Sequence, residues 1–138
     1  MARFLALPIS FMFLGFHVFA QTPSPQGADV YFITPEDGAV TKSPLIVRFG
    51  LADMGIAPAG VDIPNTGHHH LLINSKLPTL DRPIPKDENH RHFGGGQTET
   101  RLMLAPGIYT LQLILGDYRH IPHDSPVISE KITITVEE

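Results

Sequence analysis

Short runs of alternating apolar and polar residues, separated by turn residues, fill this chain and favour strands over helices. Leu45, Val47 and Phe49 lie two residues apart, which is the period of a strand with one buried face. After residue 28 no stretch repeats its apolar residues convincingly at helical spacing. The strands predicted in this way cover residues 29–34, 45–51, 68–74, 98–104, 108–115 and 127–136. A series of about seven short strands predicts an all-β fold, an antiparallel two-sheet sandwich of the Ig-like kind.

Two of the segments that connect these strands allow specific predictions. The turn at residues 105–107, Ala-Pro-Gly, predicts that residues 98–104 and 108–115 form a hairpin. Residues 75–97, in contrast, read as one long loop rich in proline and glycine. Loops of this length are uncommon inside small domains and are usually functional or disordered. We therefore expect functional residues in this loop.

The first twenty residues have the layout of a secretory signal peptide. Arg3 precedes an apolar run over residues 4–19, and Ala20 ends a cleavage site of small residues. We expect cleavage after Ala20 and a periplasmic or secreted protein, with a retained N-terminal anchor as the alternative. Residues 21–28 are polar and proline-rich, so we expect a disordered lead before an Ig-like domain at residues 29–138. No later segment resembles a membrane span.

Charge and cysteine content exclude several classes of protein. The formal net charge is −4, and it becomes −5 when Arg3 leaves with the signal peptide. Because no basic block is present, nucleic acid is not expected as a partner. The absence of cysteine excludes disulfides, thiolate metal sites and a cysteine nucleophile. An exported domain of this kind must be stabilised by packing, or by packing together with a metal ion.

The histidines are the strongest functional signal in the sequence. One of the eight, His17, lies in the signal peptide, and six of the others form three close pairs. The pairs are His68 with His70, His90 with His92, and His120 with His123. Residues i and i+2 of a strand share one face, and an i, i+3 pair across a proline turn can converge. Imidazole suits copper, zinc and nickel, so the six residues predict a metal site, for copper or zinc.

Structural roles remain open for each of these histidines. His69 shares its strand face with Leu71 and Ile73, and we expect it to be a hydrogen-bonded core residue. The three pairs could instead stabilise strands or a turn through hydrogen bonds. Neighbouring carboxylates could bind the ion as well, or accept hydrogen bonds from the ring nitrogens that do not. These carboxylates belong to Asp87, Glu88, Glu99, Asp117 and Asp124.

Two strings of residues resemble a known family. They are Gly-His-His-His-Leu-Leu-Ile at residues 67–73 and Glu-Asn-His-Arg-His-Phe-Gly-Gly-Gly-Gln-Thr-Glu at residues 88–99. Both are similar to motifs of a small bacterial exported family catalogued as a domain of unknown function, some members of which carry the label rod shape-determining protein. The resemblance runs from about residue 30 to residue 136. It implies an exported Ig-like β domain and brings no catalytic residues with it.

A looser architectural similarity is to periplasmic copper carriers of the copper-resistance C type, which are small, cysteine-poor sandwiches with histidine sites. Residues 106–110, Pro-Gly-Ile-Tyr-Thr, followed by a histidine-bearing loop and a last strand, carry this likeness. The chain departs from that pattern at its mature N-terminus. Gln21 would stand there, so a metal site that uses an N-terminal histidine is not available.

Three functions are consistent with the sequence. The leading one is an exported metal-binding protein that buffers or transfers copper. The second is a module that binds cell-envelope glycans or another envelope protein, favoured by the polar loop at residues 75–97. The third is a metal hydrolase with histidine ligands and an open coordination position. The chain contains no nucleophile elbow, no His-Glu-x-x-His helix and no phosphate-binding glycine loop, and we expect it not to be an enzyme.

Overall fold

Nine strands form two sheets in the computed structural model, which describes residues 20–138. They are β1 (Asp29–Thr34), β2 (Val40–Lys42), β3 (Leu45–Ala52), β4 (Gly55–Ile56), β5 (Thr66–Ile73), β6 (His90–His92), β7 (Glu99–Leu102), β8 (Gly107–Gly116) and β9 (Ile132–Glu137). The smaller sheet has the order β1-β3-β7, and the larger has the order β2-β9-β8-β5-β4, with β6 also beside β5. Residues 20–138 contain no helix, which confirms the predicted all-β, two-sheet fold.

The strand pairing differs from the predicted one in two respects. Strand β2 runs parallel to β9 and β4 runs parallel to β5, so the larger sheet is mixed and not wholly antiparallel. The predicted hairpin over residues 98–115 is wrong, because β7 pairs with β3 in the smaller sheet while β8 pairs with β5 and β9 in the larger. The turn at residues 105–107 carries the chain from one sheet to the other. Both strands then bury their apolar faces between the sheets, as Leu102 and Leu111 show.

Two of the short strands lie between the strands that the sequence predicts. Strand β4 lies within residues 52–67 and β6 lies within residues 75–97. Both pair with the same edge of β5, β4 near its start and β6 near its end. Because β4 and β6 have two and three residues, they are too short for an alternating pattern to reveal them.

Apolar side chains from both sheets meet in one core. The smaller sheet contributes Val30, Leu45, Val47, Phe49 and Leu102, and the larger contributes Leu71, Ile73, Leu111, Leu113, Leu115, Ile132, Ile134 and Val136. Burial of one such side chain contributes roughly 1.5–3 kcal/mol. This packing, rather than covalent cross-links, holds together a chain that has no cysteine.

Strand β5 is buried on both of its faces. Leu71 and Ile73 point into the core between the sheets. On the other face, Leu72 packs with Ile114 of β8 and with Ile84 of the segment between β5 and β6. The outer face of the larger sheet is therefore covered by chain segments, and the histidines of β5 that share this face with Leu72 are enclosed.

Residues 21–28 lie against the segment between β8 and β9, whereas the sequence predicts a disordered lead. The backbone N–H of Ser24 donates to the Asp124 carbonyl at 2.9 Å, and the Asp124 N–H donates to the Thr22 carbonyl at 3.0 Å. Prolines restrict the unfolded chain, so ordering such a segment costs less conformational entropy than its polar composition suggests.

Gln21 ties together the two segments that cover the outer face. Its side-chain Nε2 donates to the carbonyl of Leu80 at 2.8 Å and to that of Pro122 at 2.9 Å.

The signal-peptide prediction falls on residues 1–20, of which residues 1–19 lie outside the described residues. Within residues 20–138, no helix has the length and hydrophobicity needed to cross a bilayer.

Replacing Thr22 should destabilise the fold. Thr22 Oγ1 donates to Asp117 Oδ2 at 2.7 Å, and Asp117 is only 1% exposed. Thr22→Val removes one partner of a buried carboxylate, which should lower the free energy of unfolding by about 1–3 kcal/mol. The matched change Thr41→Val, where the hydroxyl bonds to the adjacent Lys42 carbonyl at 3.4 Å, should cost less than about 0.5 kcal/mol. Urea denaturation of the chain lacking residues 1–20 measures both, and equal losses would contradict the role given to Thr22.

Candidate metal centre

Four histidine side chains meet on the outer face of the larger sheet. His68 and His70 come from β5, His92 comes from β6, and His120 comes from the segment that follows β8. One ring nitrogen of each lies within 4.8 Å of those of the other three. His68 and His70 are 0% and 1% exposed, whereas the other two are half-buried. These residues are called the four-histidine cluster below.

Strand geometry and register place three of the four rings. His68 and His70 are two residues apart on β5, so they project from the same face. His92 lies directly opposite His70 in the antiparallel pairing of β5 with β6, and opposed residues share a face. Gly116 of β8 lies opposite His68. A β-carbon at Gly116 would lie 2.9 Å from His70 Nε2, so the absence of a side chain there leaves room for the rings.

A buried carboxylate organises the loop that presents His120. Asp117 Oδ1 accepts hydrogen bonds from the backbone N–H groups of Arg119 and Ile121, at 2.8 and 3.0 Å. Its Oδ2 accepts from the Thr22 hydroxyl and from Arg119 Nη2, at 2.7 and 3.1 Å. Burial alone would raise the pKa of Asp117, but these hydrogen bonds outweigh it and lower the pKa below its ordinary value. His120 itself adopts φ +67°, a left-handed conformation that the surrounding hydrogen bonds must maintain.

Two of the distances between ring nitrogens match those between adjacent ligands of one ion. His68 Nε2 lies 3.0 Å from His120 Nδ1 and 3.1 Å from His70 Nε2. A neutral imidazole nitrogen has either one hydrogen or one lone pair to share, so His68 Nε2 cannot form a full hydrogen bond in both contacts. Metal–nitrogen bonds of about 2.0–2.1 Å place adjacent ligands about 2.8–3.4 Å apart in square-planar or tetrahedral geometry. The two measured distances fall in that range.

Burial favours the neutral form of three of the four imidazoles, those of His68, His70 and His92. Desolvation is the largest cause that lowers the pKa of His68 to about 4 and that of His70 to about 2, and neighbouring histidines lower both further. Burial also lowers the pKa of His92, with contributions from His120 and from the Lys86 ammonium group. A neutral imidazole offers the lone pair that a metal ion requires. His68, His70 and His92 are therefore in the protonation state of metal ligands.

His90 lies outside the cluster, although it shares a face with His92. It lies two residues before His92 on β6, opposite Leu72 instead of His70. Its Nδ1 lies 2.8 Å from Asp87 Oδ1 and its Nε2 lies 3.0 Å from Ser75 Oγ. Both ring nitrogens of His90 thus have local partners. Of the predicted pair His90 and His92, only His92 belongs to the cluster.

His123 and His69 also point away from the cluster. His123 is fully buried, and its Nε2 donates to the Thr66 carbonyl at 3.1 Å. The predicted chelating pair of His120 and His123 is therefore not formed, because His120 belongs to the cluster and His123 does not. His69 faces the core, where its ring centroid lies 5.0 Å from that of Phe49. Burial lowers its pKa to about 4, with backbone groups of Gly50 and Gln97 acting in the opposite direction.

Glycines that make room for the cluster were not identified from the sequence. Gly116 ends the long strand β8, and a glycine within a strand pattern is a general sign of close approach by another group. Gly94 plays a similar part, because a side chain there would overlap the His92 ring. A run of glycines such as residues 94–96 can form a hinge or allow a close backbone approach. The contact at Gly94 is a close approach to a candidate ligand.

Fold and site together define a β-sandwich domain with a buried histidine cluster that could hold a metal ion. The chain belongs to the family described as Domain of unknown function (DUF4399), whose profile matches residues 47–137. That range contains all four residues of the cluster, and the match confirms the predicted membership of a small family of unknown function. No curated protein and no solved structure matches the chain.

Acidification should destabilise the metal-free protein between pH 6.5 and about 4. The pKa values of His68, His69 and His70 are about 4, 4 and 2 in the folded chain, against 6.5 for an unperturbed histidine. Below pH 6.5 the unfolded chain therefore binds protons that the folded chain excludes. Each such group then lowers the free energy of unfolding by up to about 1.4 kcal/mol per pH unit, whereas above pH 6.5 its contribution is constant.

Urea denaturation in EDTA from pH 7.5 to pH 4.5 measures this loss. A double variant, His68→Leu with His70→Leu, lacks two of the titrating groups and should lose stability less steeply. Carboxylate titration is common to both proteins and cancels in the comparison. Equal slopes would contradict the assignment of the pH dependence to these histidines.

Proposed function

We propose that this protein binds one transition-metal ion, copper or zinc, at the four-histidine cluster and that it stores or transfers the ion outside the cytoplasm. One observation carries the proposal. Imidazoles from three separate segments converge on one buried point, with donor atoms within 4.8 Å of one another. Burying polar rings in this way is costly unless they share a ligand, since their mutual hydrogen bonds cannot all be satisfied.

Copper is the first choice of ion. The donor set consists of neutral imidazole nitrogens, which suit copper, zinc and nickel, and the chain has no thiolate that would favour a softer site. Among divalent ions of the first transition series, copper binds such ligands most tightly. Zinc is the second choice, because it accepts four nitrogen ligands in tetrahedral geometry.

Storage or transfer suits the site better than catalysis. A hydrolytic metal centre needs a base that takes a proton from the attacking water. Asp117, whose carboxylate acts electrostatically on His68, is occupied by hydrogen bonds from Thr22, Arg119 and Ile121. Four protein ligands also differ from the three-ligand arrangement of catalytic zinc. We therefore propose a protein that is not an enzyme.

Export to the periplasm or the medium forms part of the proposal. Arg3, the apolar run at residues 4–19 and Ala20 have the composition of a cleavable signal peptide. The absence of cysteine is compatible with an oxidising compartment, where free thiols would be at risk.

A basic groove supports a second candidate function, the binding of an acidic envelope glycan or protein segment. The groove has a volume of about 460 Å³, and Lys86, Arg91 and Arg101 contribute positive charge to its walls. Asp87 also lines it, but its carboxylate contacts His90. Binding of such a partner in the presence of EDTA would favour this function over metal storage.

Native mass spectrometry of the untagged chain, residues 21–138, tests the metal proposal. Cu(II), Cu(I), Zn(II) and Ni(II) are each added in the presence of a competing chelator. We expect one tightly held ion per chain, with Cu(II) retained against more chelator than Zn(II). A chain that retains none of these ions would overturn the proposal. A polyhistidine tag must be avoided, because it would bind the same ions.

Two histidines of the same strand provide a matched comparison. His92→Gln removes a residue of the cluster, and its metal affinity should fall by more than about 100-fold, since even partners of ligands contribute about 10–100-fold. His90→Gln alters a residue two positions away whose ring bonds to Asp87 and Ser75, and its affinity should be unchanged. Chelator competition measures both. Equal affinities would show that the ion binds elsewhere.

Gly116→Ala should weaken metal binding without removing any ligand. The added methyl group would lie 2.9 Å from His70 Nε2 and 3.3 Å from the His120 Cα. Either the His70 ring or the loop that carries His120 must therefore shift. Gly95→Ala is the control, because its methyl group would meet the flexible end of the Gln97 side chain. Circular dichroism should show the same β signal for both variants, while chelator competition should show reduced affinity only for Gly116→Ala.

A further inference from the structure

A small cleft opens directly on the four-histidine cluster. Its volume is about 170 Å³, and its walls are formed by His70, Pro83, Ile84, Lys86, His92 and His120. Three of the four proposed ligands therefore face one space that the protein leaves unfilled. The cleft lies where the segment between β5 and β6 passes over the cluster.

The wall of this cleft is fixed to the site. The backbone N–H of Ile84 donates to the His120 carbonyl at 2.8 Å. The Ile84 side chain is 5% exposed and packs with Leu72 and Ile114 against the sheet. The apolar side of the cleft is thus held in place by a backbone hydrogen bond and by core packing, while Lys86 is exposed at its edge.

The charges around the cleft favour an anion. An imidazole ligand brings no negative charge, so a divalent ion bound by four of them would keep its full charge in a buried place. The carboxylate of Asp117 offsets little of this positive charge, because it already accepts hydrogen bonds from Arg119 and from backbone N–H groups. Lys86 adds a further positive charge beside His92, whose pKa it helps to lower. A bound metal ion and Lys86 would together create a strongly positive potential in the cleft.

The size and lining of the cleft select the class of anion. A cavity of about 150 Å³ accommodates a molecule as large as benzene, so a space of 170 Å³ holds a ligand of a few heavy atoms. Pro83 and Ile84 provide an apolar surface opposite the charged groups. These features match a small organic anion with one charged end and a short apolar body.

We propose that the cleft binds a small carboxylate anion between the metal ion and Lys86. This inference rests on the proposed function, because the metal ion supplies part of the attraction. The carboxylate would neutralise charge at the site and occupy a further coordination position, which copper(II) in tetragonal geometry provides. Metal binding and anion binding are then coupled, so each strengthens the other.

Acetate is the probe in the test. The untagged chain is loaded with one equivalent of Cu(II) in chloride-free buffer, and mass spectrometry verifies retention of the ion. Acetate is then added while the visible absorption and the electron paramagnetic resonance spectrum of the copper are followed. We expect a saturable spectral change, and calorimetry of the metal-free chain should show no acetate binding.

Lysine variants locate the bound anion. Lys86→Met should weaken acetate binding at least tenfold while copper retention stays the same or increases. Lys131→Met is the matched control, because Lys131 is exposed and does not line the cleft, and it should bind acetate as the unaltered protein does. Equal weakening in the two variants would overturn the proposal, since it would indicate a general effect of net charge.

The failures of the two proposals are distinguishable. A chain that retains copper but shows no spectral response to acetate overturns the carboxylate site alone and leaves the metal site intact. A chain that retains no copper overturns the metal site and the carboxylate site together. Acetate binding of equal strength with and without copper would also overturn the coupling proposed here.

Discussion

Burial of strand β5 on both faces is the constraint on which the site depends. One row of side chains, Leu71 and Ile73, belongs to the core between the sheets, and the other row, His68, His70 and Leu72, lies on the outer face. A sheet face that carries Leu72 has to be covered, and the segment that follows β8 brings His120 to this face, while pairing of β6 with β5 brings His92. The cluster is therefore assembled by the same packing that completes the larger sheet, and not by loops at one end of the sandwich.

Hydrogen bonding is complete around the Asp117 carboxylate and incomplete within the four-histidine cluster. Asp117 has four hydrogen-bond donors and fixes the loop that carries His120. The rings of the cluster, in contrast, have contacts that compete for the same nitrogen atoms, and His68 Nδ1 and His70 Nδ1 are buried without a hydrogen-bond partner. Buried polar networks rigidify a protein when they are satisfied and destabilise it when they are not. The satisfied carboxylate thus supports a neighbouring cluster whose own hydrogen bonding is incomplete.

Local sequence patterns correctly predicted which side chains share a face of one strand. They did not predict which strands pair with each other, or in which register. Alternation alone places His68 and His70 on one face and His69 on the other, as the structure shows. The same rule puts His90 and His92 on one face, but it cannot tell that His92 lies opposite His70, because register is set by pairing with β5. The hairpin at residues 98–115 was wrong for the same reason, since a turn signal does not say which sheet the next strand joins.

The parallel pairing of β2 with β9 has a consequence for how the chain reaches its fold. Residues 40–42 find their partners at residues 135–137, so nearly the whole domain lies within the loop that this contact closes. Such long-range contacts yield their free energy only after the loop entropy has been lost, which slows folding. An incomplete chain has no strand to take the place of β9, and the apolar edge of β8 stays uncovered until residue 137 has emerged. The larger sheet is therefore complete only after β9 has been added, and β8 then gains the neighbour that covers its second edge.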